Sequence, residues 1–386
     1  MPKIAVKNEL YWPYRHHYDL TKGIEKYAEE HDWELEILPH PESRIKRGIH
    51  FDGIVGRIDE ECLKVTREKQ IPVVNTWMSS PVAAESPGVF IDPEKGGYMA
   101  IEHLYSRGHR RFVCFGWRGR KAPQGFYHGA ECAAKKLNCP IKKYLIKANF
   151  GANFEASSQA WEELIQIIEA AAADFQAPLG ILATADSIAR VLVSELQVMG
   201  WSVPEDIAII GIGNEDLLCE AQPTLSSIDV DSVSIGYKAA ELLDQLLQGE
   251  KLDLKPIHVP PKMLYPRQTT DVFLSKNERV SKAMRYIVDH AHELITVVDI
   301  ANAAGITQQG LNVLFHRELG HSIQKELNRL RIEHFKRLLK EKGNRPISQL
   351  YKLTGFGSHS QLYRAFHSST GMSPGEYQKQ QSGMLK

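Results

Sequence analysis

Two patterns of hydrophobic and polar positions divide the chain. Between residues 3 and 270, short apolar runs alternate with longer segments whose apolar residues recur at helical spacing. The runs predict strands at 3–7, 34–38, 51–55, 71–74, 89–91, 111–115, 180–183 and 206–210. Helices are predicted between them, among others near 19–30, 96–107 and 126–137. Buried strands separated by helices favour a parallel, doubly wound sheet, because parallel strands need crossover connections.

The second pattern covers residues 295–377 and occurs twice. Each copy has a short helix with apolar periodicity, a turn centred on glycine, and a second helix that opens with Thr or Ser. The glycines are Gly305 and Gly355, fifty residues apart, and the opening residues are Thr307 and Ser358. A short glycine turn followed by an N-cap Ser or Thr is typical of the helix-turn-helix motif. The sequence therefore predicts two helix-turn-helix units.

An ordered set of residues in this region resembles the AraC-type DNA-binding domain. The set is Ile300, Ala301, Gly305, Ile306, Leu311, Leu314, Phe315, Gly320, Arg331, Leu338, Leu339, Ile347, Gly355, Phe356, Ser358, Phe366, Gly371, Pro374 and Tyr377. The resemblance implies an all-α domain in which one long helix joins the two units. It also implies that two recognition helices enter adjacent major grooves on one face of double-stranded DNA. Phe335 and Tyr351 replace small residues of the family pattern, so we expect altered packing in the second unit.

Polar residues near the start of each recognition helix are the predicted DNA readers. They are Gln308, Gln309, Asn312, His359, Ser360, Gln361 and Arg364. The amides can pair with adenine, whereas Arg364 is suited to guanine or phosphate. The apolar residues between them recur at helical spacing and are predicted core: Leu311, Leu314, Phe315, Leu362 and Phe366. We expect Arg331, in the joining helix, to form a structural ion pair.

Charge supports DNA binding independently. Residues 276–386 carry 17 Lys and Arg against 9 Asp and Glu, whereas residues 1–275 carry 30 against 38. The net charge of zero for the whole chain therefore combines a basic C-terminal domain with an acidic body. A basic domain that contains helix-turn-helix motifs is typical of phosphate contact.

Local motifs in the first 268 residues resemble the ligand-binding core of LacI/GalR-type repressors. The motifs lie at 51–55, 71–75, 91–92, 96–97, 103–104, 107–112, 203–211, 223–228, 236 and 239–240. The resemblance implies a two-lobed α/β core of the periplasmic-binding-protein kind, with three crossovers and a small ligand between the lobes. The predicted domains are therefore a core at 1–268, a linker at 269–277 and an AraC-type domain at 278–386.

The candidate ligand-binding residues follow predicted strand ends or match family positions. They are Asp92, Asp186, Tyr11, Trp12, Arg15, Trp117, Phe126, Gly213 and Asn214. Asp92 and Asp186 match carboxylates that the resemblance assigns to sugar hydroxyls. Ala185, Phe126 and Gly213 stand where polar sugar contacts are expected, and each lost hydrogen bond costs about 1–3 kcal/mol. We therefore expect a ligand with fewer hydroxyl contacts, held partly by stacking, with interlobe packing as the alternative for the aromatic residues.

Other kinds of chemistry find little support. His16 and His17 are adjacent, and neighbouring histidines diverge on a helix, so no metal site is predicted. The segment 116–120 lacks the Lys-Ser/Thr ending of a phosphate-binding loop, and no nucleophile motif is present. We expect no catalytic residue, no cofactor and no enzyme activity.

The two resemblances together imply a ligand-responsive transcription factor of the kind in which a LacI-like core precedes an AraC-like domain, and this resemblance suggests an activator of genes for the catabolism of a xylose-like sugar. The alternatives are a regulator whose core binds a non-pentose metabolite or no ligand, and a sugar sensor without DNA function. Expected partners are double-stranded DNA, a small effector and a second copy of the chain, with RNA polymerase as a further candidate. The longest apolar stretches fall short of the ~18 residues of a membrane span. Five cysteines without a CxxC motif fit the cytoplasm.

Overall fold

The chain divides into two units, Met1–Asp271 and Val272–Lys386. The structure is a computed structural model, and it describes residues 1–8, 15–147, 158–250, 254–272, 274, 277–319, 321–341 and 345–383. Within the described residues, no helix has the length and apolarity to cross a membrane. All five cysteines are free.

The N-terminal unit contains two α/β lobes. The elements of the first lobe begin with β1 (Lys3–Lys7), α1 (Arg15–Glu30), β2 (Glu34–Leu38), α2 (Pro41–Ile45), β3 (Gly53–Gly56), α3 (Glu60–Glu68), β4 (Val73–Asn75) and β5 (Val89–Ile91). Its parallel sheet has the order β2-β1-β3-β4, with Val6 paired to Ile37 on one side and Val55 on the other. The strands predicted at 3–7, 34–38 and 89–91 have the predicted bounds.

The second lobe follows in the chain. Its elements are α4 (Pro93–Ser106), β6 (Phe112–Trp117), α5 (Lys121–Lys136), β7 (Ile141–Ile146), α6 (Ser158–Ala172), β8 (Leu179–Ala183), α7 (Asp186–Val198), β9 (Ile207–Ile212), α8 (Asp216–Glu220) and β10 (Ser226–Asp229). The pattern analysis missed β7, because this edge strand carries Lys142 and Lys143 on its exposed positions. An edge strand needs no continuous apolar run, since only part of it is buried.

After β10 the chain returns to the first lobe and then crosses to the second lobe again. Helix α9 (Ser232–Leu247) packs on α1, and β11 (Ile257–Val259) pairs with β5, so both belong to the first lobe. Strand β12 (Met263–Tyr265) pairs antiparallel with β10, which gives the second sheet the order β12-β10-β9-β8-β6-β7. The two-lobed α/β core is therefore confirmed.

The end of the core is anchored to the second lobe. A 3-10 turn at Gln268–Thr270 follows β12, and both of its threonines are fully buried. The hydroxyl of Thr269 donates to the carbonyl of Ile209 at 2.7 Å and accepts from the amide of Ser226 at 2.9 Å. Residues 269–271, which the sequence analysis assigned to the linker, therefore pack with the core.

The C-terminal unit is all helical. It contains α10 (Glu278–His290), α11 (Val297–Ala303), α12 (Gln308–Leu319), α13 (Ile323–Glu341), α14 (Ile347–Leu350), α15 (His359–Thr370) and α16 (Pro374–Gly383), with a 3-10 turn at Tyr351–Leu353. One apolar cluster, which includes Ile300 and Phe315, unites α10 to α12 with the start of α13. A second cluster, which includes Phe335 and Phe366, unites the rest of α13 with α14, α15 and α16.

Candidate DNA interface and effector cleft

The first helix-turn-helix unit is formed by α11 and α12. Thr296 and Asp299 form a capping box at the start of α11, in which the amide of Thr296 donates to the carboxylate of Asp299 at 2.8 Å. Gly305 has a φ of 65°, a left-handed conformation that favours glycine, and it turns the chain into α12. The hydroxyl of Thr307 accepts from the amide of Gly310 at 3.2 Å, so the predicted helix-opening role of Thr307 is confirmed.

One face of α12 is open to solvent and polar. Gln308 and Gln309 are exposed, Asn312 is half-buried, and Val313 is 62% exposed. These side chains border a shallow depression together with Thr307 and His316. The opposite face carries Leu311 and Phe315, which are fully buried as predicted. Helix α12 therefore presents amide groups and an apolar side chain at its surface, which suits contact with the edges of bases.

The second unit, formed by α14 and α15, repeats this arrangement. Ser358 caps α15 by accepting from the amide of Gln361 at 3.2 Å, as predicted. His359, Ser360, Gln361 and Arg364 are all exposed on α15. The side-chain oxygen of Gln361 accepts from the amide of Gly357 at 3.1 Å, which leaves its NH₂ group to donate outward.

Within the C-terminal unit, a groove of about 1240 Å³ lies between the two helix-turn-helix units. Its lining includes the basic side chains of Lys325, Arg329 and Arg364. Arg331 lines the groove as well, but Arg329 pairs with Glu326 and Arg331 donates to backbone carbonyls, so the attraction of phosphate rests mainly on Lys325 and Arg364. A groove with basic walls beside two exposed recognition helices suits the phosphate backbone between two major-groove sites.

The two aromatic departures from the family pattern are accommodated by packing. Phe335 is fully buried and meets Phe366 edge to face, with ring centroids 5.6 Å apart. Tyr351 is half-buried, and its ring lies 5.8 Å from that of His359 at the start of α15. The second unit therefore accommodates both aromatic side chains, one of them next to the predicted base reader His359.

Arg331 differs from its predicted role. Its guanidinium donates to the carbonyl oxygens of Ala291, Glu293 and Ile295 at 2.9–3.0 Å. The contacts are structural, as expected, but the partners are carbonyl groups instead of a carboxylate. Burial lowers the pKa of Arg331 to about 10.

In the core, Asp186 lies at the start of α7 and is 1% exposed. Its carboxylate accepts from the hydroxyl of Ser227 at 2.6 Å and from the amide of Glu215 at 2.8 Å. Burial raises the pKa of Asp186, and these two hydrogen bonds oppose the rise. Gly213 lies beside it with a φ of 125°, so a side chain at that position would be strained.

Arg15 joins the first lobe to the loop after β9. Its guanidinium donates to Asp216 at 2.8 Å and to the carbonyl of Asn214 at 3.1 Å, while Asp19 pairs with it at 2.8 Å. Asn214 is buried, and its side-chain oxygen accepts from Arg267 at 2.7 Å. Arg15, Gly213, Asn214 and Asp186 are thus brought together, and we call this group of four the interlobe cluster.

Glu215 is an ionisable group of this region that the sequence analysis missed. Its carboxylate accepts from the backbone amide of Arg15 at 2.7 Å, at the first turn of α1. Burial, with a smaller contribution from the charge of Asp186, raises the pKa of Glu215 to about 7. The signal available in the sequence was its position two residues after Gly213, at the end of a buried strand.

The contacts of Asp92 do not include a residue of the interlobe cluster. Its carboxylate caps α4 by accepting from the amide of Lys95 at 3.0 Å, and it pairs with the Lys95 ammonium at 3.2 Å. The side chain also borders a cavity of about 690 Å³ with Phe90, Lys121 and His258. Asp92 is therefore a helix cap in this structure, with one side on a cavity.

Two predicted cleft residues are packed in the core instead. Phe126 is 3% exposed, and the chain comes so close here that a Cβ on Gly96 would lie 2.5 Å from its ring. Trp117 is 9% exposed and meets Trp161 edge to face at 5.5 Å. The structure does not place these two rings at a ligand. Both are buried by apolar packing inside the second lobe.

The remaining candidates fall outside this geometry. Tyr11 and Trp12 lie outside the described residues. His17 contacts the side chain of Asn8 at 2.8 Å and His16 contacts Ser232 at 2.7 Å. Burial lowers the pKa of His16 to about 4 and that of His17 to about 2. Among the described residues, no group of three His, Cys, Asp or Glu side chains is arranged for a metal ion.

The fold and these sites define a class of protein. A two-lobed α/β core is followed by a helical unit that presents two exposed polar helices, and this is the architecture of a ligand-responsive, DNA-binding transcription regulator. Residues 101–270 match the periplasmic binding protein-like domain, and residues 300–380 match the helix-turn-helix domain.

Relatives match along nearly the whole chain. The xylose operon regulatory protein of Haemophilus influenzae is 25% identical over 93% of this chain and 94% of the relative. That of Escherichia coli strain K12 is 26% identical over 95% and 94%. A solved structure described as a xylose-binding transcription activator superposes with a TM-score of 0.57 at 23% identity and covers 98% of both chains. The chain is thus similar to these transcription regulators over nearly its whole length, with a periplasmic binding protein-like domain followed by a helix-turn-helix domain.

Proposed function

We propose that this regulator activates genes for sugar catabolism, and that its core binds a small effector of which xylose is the first candidate. The observation that carries the DNA-binding part is the pair of exposed polar faces on α12 and α15 within a basic unit. The sugar is suggested by the relatives, which are named as xylose operon regulators. The direction of regulation is suggested by the solved relative that is described as an activator.

The base contacts are assigned to the seven predicted readers. Gln308, Gln309 and Asn312 contact one major-groove site, and the readers on α15 contact the next. Val313, which is 62% exposed beside these amides, suits the methyl group of thymine. A sugar sensor without DNA function would have no use for such a surface, and polar faces of this kind on two helices favour the regulator.

The effector is assigned to the cleft between the lobes, with Arg15, Asn214, Gly213 and Asp186 on its walls. Asp92 is retained as a candidate because its carboxylate borders a cavity. Tyr11 and Trp12 remain candidates from their positions after β1. In this assignment Phe126 and Trp117 support the second lobe from within and do not touch the effector.

A second reading of the core follows from its hydrogen bonds. Each of three residues of the interlobe cluster has a protein partner for its side chain: Arg15 donates to Asp216, Asn214 accepts from Arg267, and Asp186 accepts from Ser227. Each of these groups would have to exchange a protein partner for a sugar hydroxyl, and such an exchange has a small net gain. This observation favours a non-pentose metabolite, or a core without an effector, as the alternative.

Calorimetric titration of the full chain with xylose, other pentoses, hexoses and uronates tests the effector. We expect saturable heat with xylose and at least fivefold weaker binding by Arg15→Gln, about 1 kcal/mol for a charge-assisted contact. Lys22→Gln is the matched control, because Lys22 lies on the same helix and its side chain is exposed. Saturation by another compound in the panel selects the alternative effector. If none of them binds, a core without an effector is selected.

We further propose that the regulator acts in the cytoplasm as a homodimer without enzyme activity, and that it contacts RNA polymerase. One helical unit reads one half-site, so two copies would read a repeated operator. Sedimentation at micromolar concentration should give the mass of two chains. A monomer both with and without DNA would exclude the dimer, and lack of stimulation in purified transcription reactions would exclude activation.

A further inference from the structure

Arg331 lies in the middle of α13, the helix that joins the two helix-turn-helix units, and it is 5% exposed. Its Nε donates to the carbonyl of Ala291 at 3.0 Å, and one Nη2 reaches Glu293 at 2.9 Å and Ile295 at 3.0 Å. These three carbonyls belong to the loop that enters α11. We call residues 291–295 the carbonyl loop.

The second unit meets the carbonyl loop at the same place. Gly355, in the turn before α15, has a φ of 75°, and a Cβ there would lie 2.2 Å from the oxygen of Ala291. The same Cβ would lie 2.5 Å from the oxygen of Glu293 and 2.9 Å from Nε of Arg331. The ring of Phe356, the next residue, lies 5.6 Å from the Arg331 guanidinium. Arg331 thus holds the first unit at the point where the turn of the second unit touches it.

Arginine is the side chain that this arrangement requires. Its planar fork offers several donors in fixed directions, whereas a lysine ammonium is a point charge on a flexible chain. Without this donor the buried carbonyls of Ala291 and Ile295 lose a hydrogen-bond partner, which is costly in a water-poor contact. A substitution at Arg331 therefore loosens the carbonyl loop from α13 and, with it, the docking of one unit against the other.

The carbonyl loop and the turn at Gly355, which Arg331 holds together, lead into the two helix-turn-helix units. Helix α11 starts after the carbonyl loop and precedes α12, while α15 starts at His359, close after Gly355. On DNA, one base pair moves a site by about 3.4 Å and rotates it by about 35° around the axis. Two helices held at one separation can therefore enter both grooves only at one spacing of their sites.

We propose that Arg331 is a positioning residue that fixes the separation and orientation of the two recognition helices. Through it the regulator selects operators by the number of base pairs between the two sub-sites, in addition to their sequence. The inference rests on the proposed function, in which both helices read DNA. Arg331 acts through the carbonyl loop and not as a base reader, because its Nε and Nη2 donate to that loop and the side chain is 5% exposed.

The test uses the full chain and a series of operators in which one or two base pairs are inserted or deleted between the sub-sites. Operators come from selection by the wild-type chain, and affinities are measured by mobility shift. We expect the wild type to bind an operator with one added base pair at least tenfold more weakly, comparable to the loss of a base contact. Arg331→Lys should reduce this ratio to about threefold or less, because a looser joint lets each helix find its site.

Arg285→Lys is the matched control, since it makes the same substitution at an exposed side chain of α10, outside the recognition helices and the groove. It should keep the wild-type ratio. Loss of affinity by the same factor on every spacing would show that Arg331 only supports folding, and it would overturn the proposal. Phe356→Leu, which removes the ring beside the guanidinium, should give an intermediate ratio.

Two outcomes separate this inference from the proposed function. If the wild type selects no DNA sequence, the proposed function fails. If it selects a two-site operator but binds all spacings equally, the proposed function stands and the positioning role is wrong. This second result needs no variant, so the inference remains testable even where Arg331→Lys does not fold.

Discussion

On the recognition helices, Gln308, Gln309 and Arg364 are exposed, and the apolar residues beneath them are fully buried. In the interlobe cluster, Asp186 and Asn214 are buried, and their polar atoms already have protein partners. A DNA-binding surface can consist of side chains that are exposed in the free protein, because DNA is a large ligand that contacts them from outside. Under the proposed assignment, a small effector would displace internal hydrogen bonds of the interlobe cluster, so such a site is harder to recognise from the exposure of its side chains.

The largest expected effect comes from placing an arginine in the packed interior of the second lobe and comparing it with an arginine on the exposed face of α12. Phe126→Arg should lower the free energy of unfolding of the core by about 3–5 kcal/mol, because it buries an uncompensated guanidinium between α4, α5 and the sheet. Val313→Arg, at an exposed position of α12, should change stability by less than about 0.5 kcal/mol. Urea denaturation of the full chain, with fluorescence from the core, measures both. Equal stability of Phe126→Arg and the wild type would show that Phe126 does face a cleft.

The next effect concerns DNA affinity. Arg364→Ala should weaken operator binding by about 1–3 kcal/mol, because it removes a charged donor at the surface of α15. Arg285→Ala serves as the control, since Arg285 is exposed on α10, outside the reading helices. Titrations by fluorescence anisotropy at fixed salt compare the three proteins. Similar losses for both variants would mean that Arg364 acts only through net charge.

The third prediction uses the raised pKa of Glu215. Its carboxyl has an ordinary pKa near 4.5 when unfolded and about 7 when folded, so the folded state binds the proton more tightly. Stability from this group is therefore present below pH 4.5 and is lost as pH rises to 7. With a discount for its partial exposure, the loss is about 1–2 kcal/mol.

Glu215→Gln keeps the acceptor for the Arg15 amide but does not ionise. The wild type should lose stability relative to this variant between pH 5 and 7, as measured by thermal melting at several pH values. Glu205→Gln, the same substitution at an exposed carboxyl group of the same lobe, is the control for the loss of one negative charge. Parallel profiles for the wild type and Glu215→Gln would contradict the buried position of this carboxylate.

The smallest effect distinguishes two roles of Asp92. As a helix cap, Asp92→Ala should cost about 1 kcal/mol, whereas Asp92→Ser, which still caps, should cost much less. As an effector contact, both substitutions should remove the response to the effector, because neither keeps the carboxylate. Thermal melting with and without xylose separates the two roles. An intact response in both variants would limit Asp92 to capping α4.

The C-terminal unit could be predicted closely from the sequence because its signals are local. Thr307 and Ser358 cap the recognition helices through contacts within three residues, and the i,i+4 spacing of Leu311 and Phe315 marks the buried face of α12. Even there, the carbonyl partners of Arg331 could not be found. They lie 36 to 40 positions away, and because every residue has a backbone carbonyl group, the sequence does not indicate which ones accept from Arg331.

The core illustrates the limit more clearly. Its alternation of strands and helices was evident, yet the contacts of Arg15 with Asn214 and Asp216 join residues about two hundred positions apart. Phe126 lies on an amphipathic helix whose buried face could have been turned to a cleft or to the core. The close approach of Gly96 to its ring decides between them, and only the packed structure contains that distance.

The most direct test of the account is selection of DNA from a random pool by the full chain, followed by affinity measurements between 50 and 200 mM salt. The account predicts an operator with two sub-sites per chain on one face of the helix. Affinity for this operator should fall by at least about tenfold over the salt range, because contacts with phosphate release counterions. A pool without enrichment, or an affinity that does not change with salt, would contradict the assignment of α12 and α15 as DNA-reading helices.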